Sequence, residues 1–349
     1  MTLEHVTDFV KERISTDILT LANYVSTENM KSDFGGITPA ISIPNNTNVI
    51  HYHKDDVLLS NIRPYLRKVW AANGDGGCSA DVFVFRAKSI FPSFLYCIMA
   101  NDTFINYVMS GAKGVKMPRG DKEQMLKYVF SIPSIEEQSK ISRLLHLLDE
   151  RIATQNKIIE DLKKLNSAIA DLLFHSISDA QTVHLGDIAH ITNGVGDVQD
   201  ANTYYKKDWY PFFDRSEGLK WFPTYSFDKE AIIYAGEGQN FYPRYYNGKF
   251  ALHQRCYAIT DFSSCILPKY CYHFMNTLNS YFVRNSVGST VPSLRMDIFQ
   301  KAEIKLPSIP KQQHIRNIID TLCSKLEVEQ CVISAIKKLK QYLLSQMFI

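Results

Sequence analysis

The chain has 349 residues, enough for two ordinary domains, and its 45% apolar and 21% charged residues argue against a disordered polymer. The net charge is only +3, from 39 Lys and Arg against 36 Asp and Glu, which excludes a uniformly basic protein. Any polyanionic partner must therefore be met by local patches.

The seven Cys are odd in number and contain no CxxC pair, so neither a disulfide framework nor a zinc site is expected. The opening MTLEHVTDFVKERIS lacks the apolar core of a signal peptide. No apolar run approaches the roughly 20 residues of a membrane span. A cytoplasmic protein with free thiols and no membrane contact is the expectation.

In chain order, residues 1–131 read as mixed α/β. Strand-like runs lie at 56–60 (DVLLS) and 81–85 (DVFVF), a helical run at 93–109, and a turn at Gly74-Asp75-Gly76-Gly77. Residues 132–177 read as a long helix. It has no Gly, has Pro only in the first turn, and starts with a Ser134/Glu137 capping box. Residues 178–305 repeat the mixed pattern, with strands at 231–235 and 255–260, a helix at 269–283, and turns at Asn193-Gly194 and Asn247-Gly248. Residues 306–349 form a second long helix.

The two helical segments align without a gap at an offset of 174 residues: Pro133 with Pro307, Gln138 with Gln312, Ile141 with Ile315, Phe174 with Phe348. The offset extends upstream to Gly114 with Gly288 and Pro118 with Pro292. The chain thus reads as one unit used twice.

Both helices carry heptads. From Ile141 the seam runs Leu145, Leu148, Ile152, Gln155, Ile159, Leu162, Asn166, Ile169, Leu173. From Ile315 it runs Ile319, Leu322, Leu326, Glu329, Ile333, Ile336, Lys340, Leu343, Met347. A period near 3.5 implies a left-handed coiled coil. If the helices pair antiparallel, one register sets Gln155 opposite Lys340 and Asn166 opposite Glu329. That register stacks Leu148 on Met347, Ile152 on Leu343, Ile159 on Ile336, Leu162 on Ile333, Ile169 on Leu326 and Leu173 on Leu322. Matched polar layers are the expected register determinant.

Four windows contain no acidic residue: 57–74, 103–120, 238–260 and 262–296. Their cations and polar groups suit phosphate and base-edge contacts. The candidate DNA-binding residues are Asn61, Arg63, Arg67, Lys68, Lys113, Lys116 and Arg119 in the first mixed segment. In the second they are Arg244, Tyr245, His253, Gln254, Arg255, Ser289, Thr290 and Arg295. A solvated surface beside a core would give the same composition. There is no phosphate-binding GxxxxGK[ST], no dinucleotide fingerprint and no HExxH, so no catalytic residue and no metal site are expected.

At IPSIEEQ (132–138), LPSIPKQQ (306–313), GKFALHQRCYAI (248–259) and GSTVPSLRMDIFQKAEIKLP (288–307), together with NYVSTENM (23–30), the sequence resembles the specificity subunits of type I restriction–modification systems. The likeness spans essentially the whole chain. It implies α/β (α+β) target-recognition domains in two copies (1–131 and 178–305), joined by two long antiparallel coiled-coil helices (132–177 and 306–349) with pseudo-two-fold symmetry. It further implies a non-enzymatic subunit that reads a bipartite double-stranded DNA target and docks two methyltransferase subunits and restriction subunits. S-adenosylmethionine would belong to the former, ATP and Mg to the latter, and no cofactor to this chain. The alternative is a coiled-coil scaffold whose α/β domains bind proteins.

Overall fold

A computed structural model describes residues 1–288 and 290–347. The chain divides into two compact units. One comprises Met1–Asn156 with Cys331–Ile349, and the other Lys157–Gln330. Each long helix, Ile135–His175 and Ile309–Met347, therefore contributes a half to each unit. Among the described residues no helix is long and apolar enough to cross a membrane.

The first unit holds two four-stranded sheets. One has the order Thr7–Phe9, Val82–Ala87, Val57–Ser60, Val69–Ala71, all antiparallel. The other has the order Arg13–Ser15, Asn48–Tyr52, Gly76–Cys78, Tyr24–Val25, with a parallel last pair. Val57, Leu58 and Leu59 are fully buried, as a strand covered on both faces requires. Leu58 and Val84 join Val10, Val25 and Tyr52 in one core. Val57 and Phe85 join a second core with the helices Pro92–Met99 and Asp102–Ser110.

The expected single helix over 93–109 is two. Buried Asn101 caps the second by accepting from Thr103 N at 3.0 Å, so the chain turns at Ala100. The expected turn over 74–77 also differs, because Gly76 and Gly77 lie in a strand. A Cβ on Gly76 would stand 2.2 Å from Asn23 O, so the glycine serves a close backbone approach.

The second unit is built on a six-stranded sheet of order His190–Asn193, Cys256–Thr260, Phe227–Ala235, Arg244–Leu252, Tyr210–Phe213, Lys220–Phe222. A two-stranded ribbon pairs Glu303–Leu306 with Gln181–His184. The helical run over 269–283 is again two helices, Pro268–Asn276 and Asn279–Asn285. Asn247-Gly248 is not a turn. It lies within a strand, with Lys229 opposite Gly248.

One buried glutamine does the same task in each unit. Gln138 Oε1 accepts from Phe91 N at 2.8 Å, and its Nε2 donates to Pro133 O at 2.9 Å. Gln312 Oε1 accepts from Leu267 N at 2.9 Å, and its Nε2 donates to Cys265 O and Pro307 O, both at 2.9 Å. Each ties the first turn of a long helix to the start of a proline-led short helix, satisfying backbone groups that burial would otherwise orphan.

The seam positions read from the heptads face inward. Leu148, Ile152, Ile159, Leu162, Ile169, Leu173, Leu322, Leu326, Ile336, Leu343 and Met347 are half-buried, and Ile333 is buried. The register is not the one expected. In the first unit Lys340 Nζ donates to Asp149 Oδ1, six residues from Gln155. In the second, Asn166 Nδ2 lies 3.4 Å from Cys323 Sγ, six residues from Glu329. Both displacements have the same sense and approach one heptad.

The shift has an apolar cause. In the expected register Ile315 and Ile319 face positions 180 and 176, past the end of the helix Ile135–His175. In the structure Ile141, Leu145 and Leu148 share one cluster with Leu344 and Met347. Ile315, Ile319 and Cys323 share another with Ala170, Leu173 and Phe174. Covering an Ile or Leu is worth about 1.5–3 kcal/mol, and a matched polar pair nets about 1 kcal/mol, so overlap outweighs polar matching.

Candidate nucleic-acid interface

In the first unit, strand Val57–Ser60 continues into Asn61–Arg63 and is clamped by a hairpin. Gly120 N donates to Asn61 O at 3.1 Å, and Arg63 N to Pro118 O at 2.8 Å. Lys113 and Arg119 close the hairpin through two backbone bonds of 2.9 Å. Gly114 takes φ +94°, a conformation that L side chains rarely adopt.

The second unit repeats this construction. Leu294 N donates to Gly236 O at 2.7 Å and Gly238 N to Pro292 O at 3.0 Å, while Val287 and Ser293 close the hairpin at 2.9 and 2.8 Å. Gly288 takes φ +103°. The Gly and Pro spacing seen in the sequence is therefore a conserved backbone device within the chain. The side chains mounted on it differ: Lys113, Lys116 and Arg119 in one copy, Val287, Thr290 and Ser293 in the other.

The candidate residues divide by what holds them. Arg63 and Lys116 are exposed, and among the described residues no ion pair engages either. Lys113 and Arg119 are exposed but paired, with Asp121 at 2.6 Å and Asp81 at 3.4 Å. The Lys113 ammonium, with Gln124 N–H, pushes Asp121 down to about 2. Asp121 also caps the helix Lys122–Leu126, so Lys113 braces the hairpin base. Arg67 is held by Asp102 at 3.0 Å and Asp33 at 3.4 Å, and Lys68 Nζ donates to Thr27 O at 2.5 Å. Asn61 is buried at 9% exposure, behind the hairpin.

In the second unit Arg255 and Gln254 are exposed, and Arg255 pairs with Glu237 at 2.9 Å. His253 is half-buried, with its Nδ1 accepting from Arg255 N at 3.2 Å. These three residues line a cleft of about 570 Å³ with Asp197, Gln199, Arg215 and Lys220. Buried Asp214 forms the cleft wall. Burial raises its pKa, but bonds from Lys220 and Ser216 outweigh that and hold it below the ordinary carboxylate value. Arg244 donates to Ser216 O behind the cleft.

Tyr245 follows Arg244 in a strand, so its side chain points to the opposite face. There it donates to Glu230 under Lys269, in a groove shared with Arg316 and Asp320. It does not join the cleft. Thr290 and Arg295 are exposed on and beside the hairpin, and Ser289 lies outside the described residues. Gln199, Arg215 and Lys220 carry no signal in the sequence. Asp214 precedes Arg215 and Glu217 follows two residues later, so an acid-free window cannot include it.

The type I restriction modification DNA specificity domain family matches residues 16–164 and 177–338. The chain belongs to this family. It is 31% identical over 149 residues to the type I restriction enzyme EcoDI specificity subunit of Escherichia coli, a match covering 43% of this chain and 32% of that protein. The matched stretch thus spans about a third of the curated relative. The fold is that of the crystal structure of a type I restriction–modification S subunit from M. genitalium. The TM-score is 0.68 at 16% identity, over 100% of this chain and 95% of that one. A second structure, from a study of complex assembly and conformational transition of the type I R-M system, has TM-score 0.62 at 18% identity, covering 99% and 96%. The two matched family segments of this specificity-domain protein each contain one clamped hairpin.

Proposed function

We propose that the chain is the non-catalytic specificity subunit of a type I restriction–modification complex and recognises a bipartite double-stranded DNA target. Residues 1–131 and 178–305 act as the two target-recognition domains, and 132–177 and 306–349 as spacer helices. The observation that carries this reading is the duplicated hairpin. One backbone device presents Lys113, Lys116 and Arg119 in one copy and Thr290 in the other, as reading two different half-sites requires.

The exposed groups among those named above supply the contacts. Arg63, Lys116 and Arg295 are available for phosphate, and Gln254 and Arg255 for base edges. Two methyltransferase subunits dock on the helices and bring S-adenosylmethionine, while restriction subunits bring ATP and Mg. This chain supplies neither S-adenosylmethionine nor ATP and Mg itself, and works in the cytoplasm. Docking is supported by apolar residues exposed outside the seam: Leu144 and Leu147 in the first unit, Leu165 and Leu172 in the second.

The test is the methylome of the host with and without this chain. One modified bipartite motif should vanish on its removal. Removing one heptad from each helix should change the spacer between half-sites and leave their identity intact. An unchanged methylome overturns the proposal.

A further inference from the structure

The richest cluster of ligating side chains outside the candidate interface lies in the first unit. His51 and His53 flank Tyr52 at the end of strand Asn48–Tyr52, so the period of two puts both imidazoles on one side. Their ring centroids are 4.3 Å apart. Glu12 is remote in sequence but is fixed beside them, because His51 N donates to Glu12 O at 2.8 Å. Its carboxylate splits between the rings, with Oε1 3.2 Å from His51 Nδ1 and Oε2 3.2 Å from His53 Nε2. All three donor groups lie within 4.8 Å of one another.

The second nitrogen of His53 is also taken. Its Nδ1 lies 3.4 Å from Asp75 Oδ2, and Asp75 is itself held by Lys54 N–H at 2.8 Å. If Nδ1 carries the ring hydrogen and donates it to Asp75, Nε2 presents a lone pair to a carboxylate oxygen. Such a pair is bridged either by a second ring hydrogen or by a metal ion. Two bonds of roughly 2.0–2.2 Å meeting at a tetrahedral metal separate their donor atoms by about 3.3–3.5 Å, close to both Glu12–His separations. A carboxylate on the far nitrogen of a ligating imidazole is the usual orienting partner of such sites. Arg86 does not block the position. Its fork is engaged by Asp56 at 2.9 and 2.8 Å, and it reaches Glu12 only at 3.6 Å.

We propose that Glu12, His51 and His53 bind a divalent transition-metal ion of the zinc class, with Asp75 orienting His53. The ion pins the segment before Arg13–Ser15 to the strand Asn48–Tyr52. Water completes its shell, since Glu12 and His53 are partly exposed.

The test uses the full-length chain without a histidine tag, stripped with chelator, with exposed Cys265 and Cys331 replaced by Ser. Calorimetry should give one Zn²⁺ per chain with Kd below about 10 μM, and Tm should rise with Zn²⁺ concentration. Co²⁺ in its place should give visible d–d absorption. The double variant His51→Ala/His53→Ala should abolish the binding. Glu12→Gln, which keeps the side-chain shape, should weaken it at least about 10-fold and covers the case in which the double variant misfolds. No Zn²⁺ uptake, or equal uptake by wild type and Glu12→Gln, overturns the proposal.

Discussion

Lys340 donates to Asp149 within the first unit, six residues N-terminal to the Gln155 that polar matching sets opposite it. Asn166 and Cys323 show the same displacement in the second unit. Six residues of helix are about 9 Å, too far for either pair to form in the expected register. Asn166→Cys should therefore form an intrachain disulfide with Cys323 under mild oxidation. Peptide mapping checks it, with Cys323→Ser as the control. A register with Glu329 facing residue 166 would leave the thiols unlinked.

The buried glutamines invite a stability test. Gln312→Leu removes the partner of Leu267 N and of two carbonyls, and should cost about 2–3 kcal/mol in urea unfolding. Gln138→Leu should cost a similar amount through Phe91 N and Pro133 O. A loss of under about 0.5 kcal/mol would mean water replaces the bonds.

The candidate cations should separate in DNA-binding experiments. Arg63→Ala and Lys116→Ala should each weaken DNA binding and lower the salt slope by about one. Arg67→Ala and Lys68→Ala break ties to Asp102, Asp33 and Thr27, and should lower Tm while leaving the slope unchanged. Titrations of affinity against salt distinguish the two groups.

His273 gives a pH signature. Burial pushes its imidazole below the ordinary value, partly opposed by its 2.8 Å bond to Asp320, with Lys269 and Arg316 also acting to lower it. The folded state then binds fewer protons than the unfolded one. Stability should fall as pH drops below about 6.5 and level off below the lowered folded value. His273→Gln keeps a donor towards Asp320 and should lose that part of the slope. Urea midpoints from pH 7.5 to 5 measure it, and identical slopes in both proteins would count against the assignment.

The hairpin glycine has a conformational role. At Gly288 a Cβ would stand 2.9 Å from Val291 O, on top of the φ of +103°. Gly288→Ala should strain the second hairpin by about 1–3 kcal/mol. It should impair recognition of one half-site while leaving the other intact, as read by binding to probes altered in a single half.

The sequence by itself determined the repeat, the two helices and the inward face of each. A 3.5-residue apolar period leaves one stripe to bury, and the 174-residue offset carries Gln138, Gly114 and Pro118 onto their second copies. Only the tertiary structure decided the register. Sliding a heptad repeat by seven residues keeps every layer in phase, so the choice falls to how much apolar surface overlaps at the ends. There Leu145 and Leu344, Ile315 and Leu173 find common cores. The candidate interface divides the same way. Composition marked the cations, but their partners come from remote segments, Asp102 for Arg67 and Thr27 for Lys68, which only folding brings within a hydrogen bond.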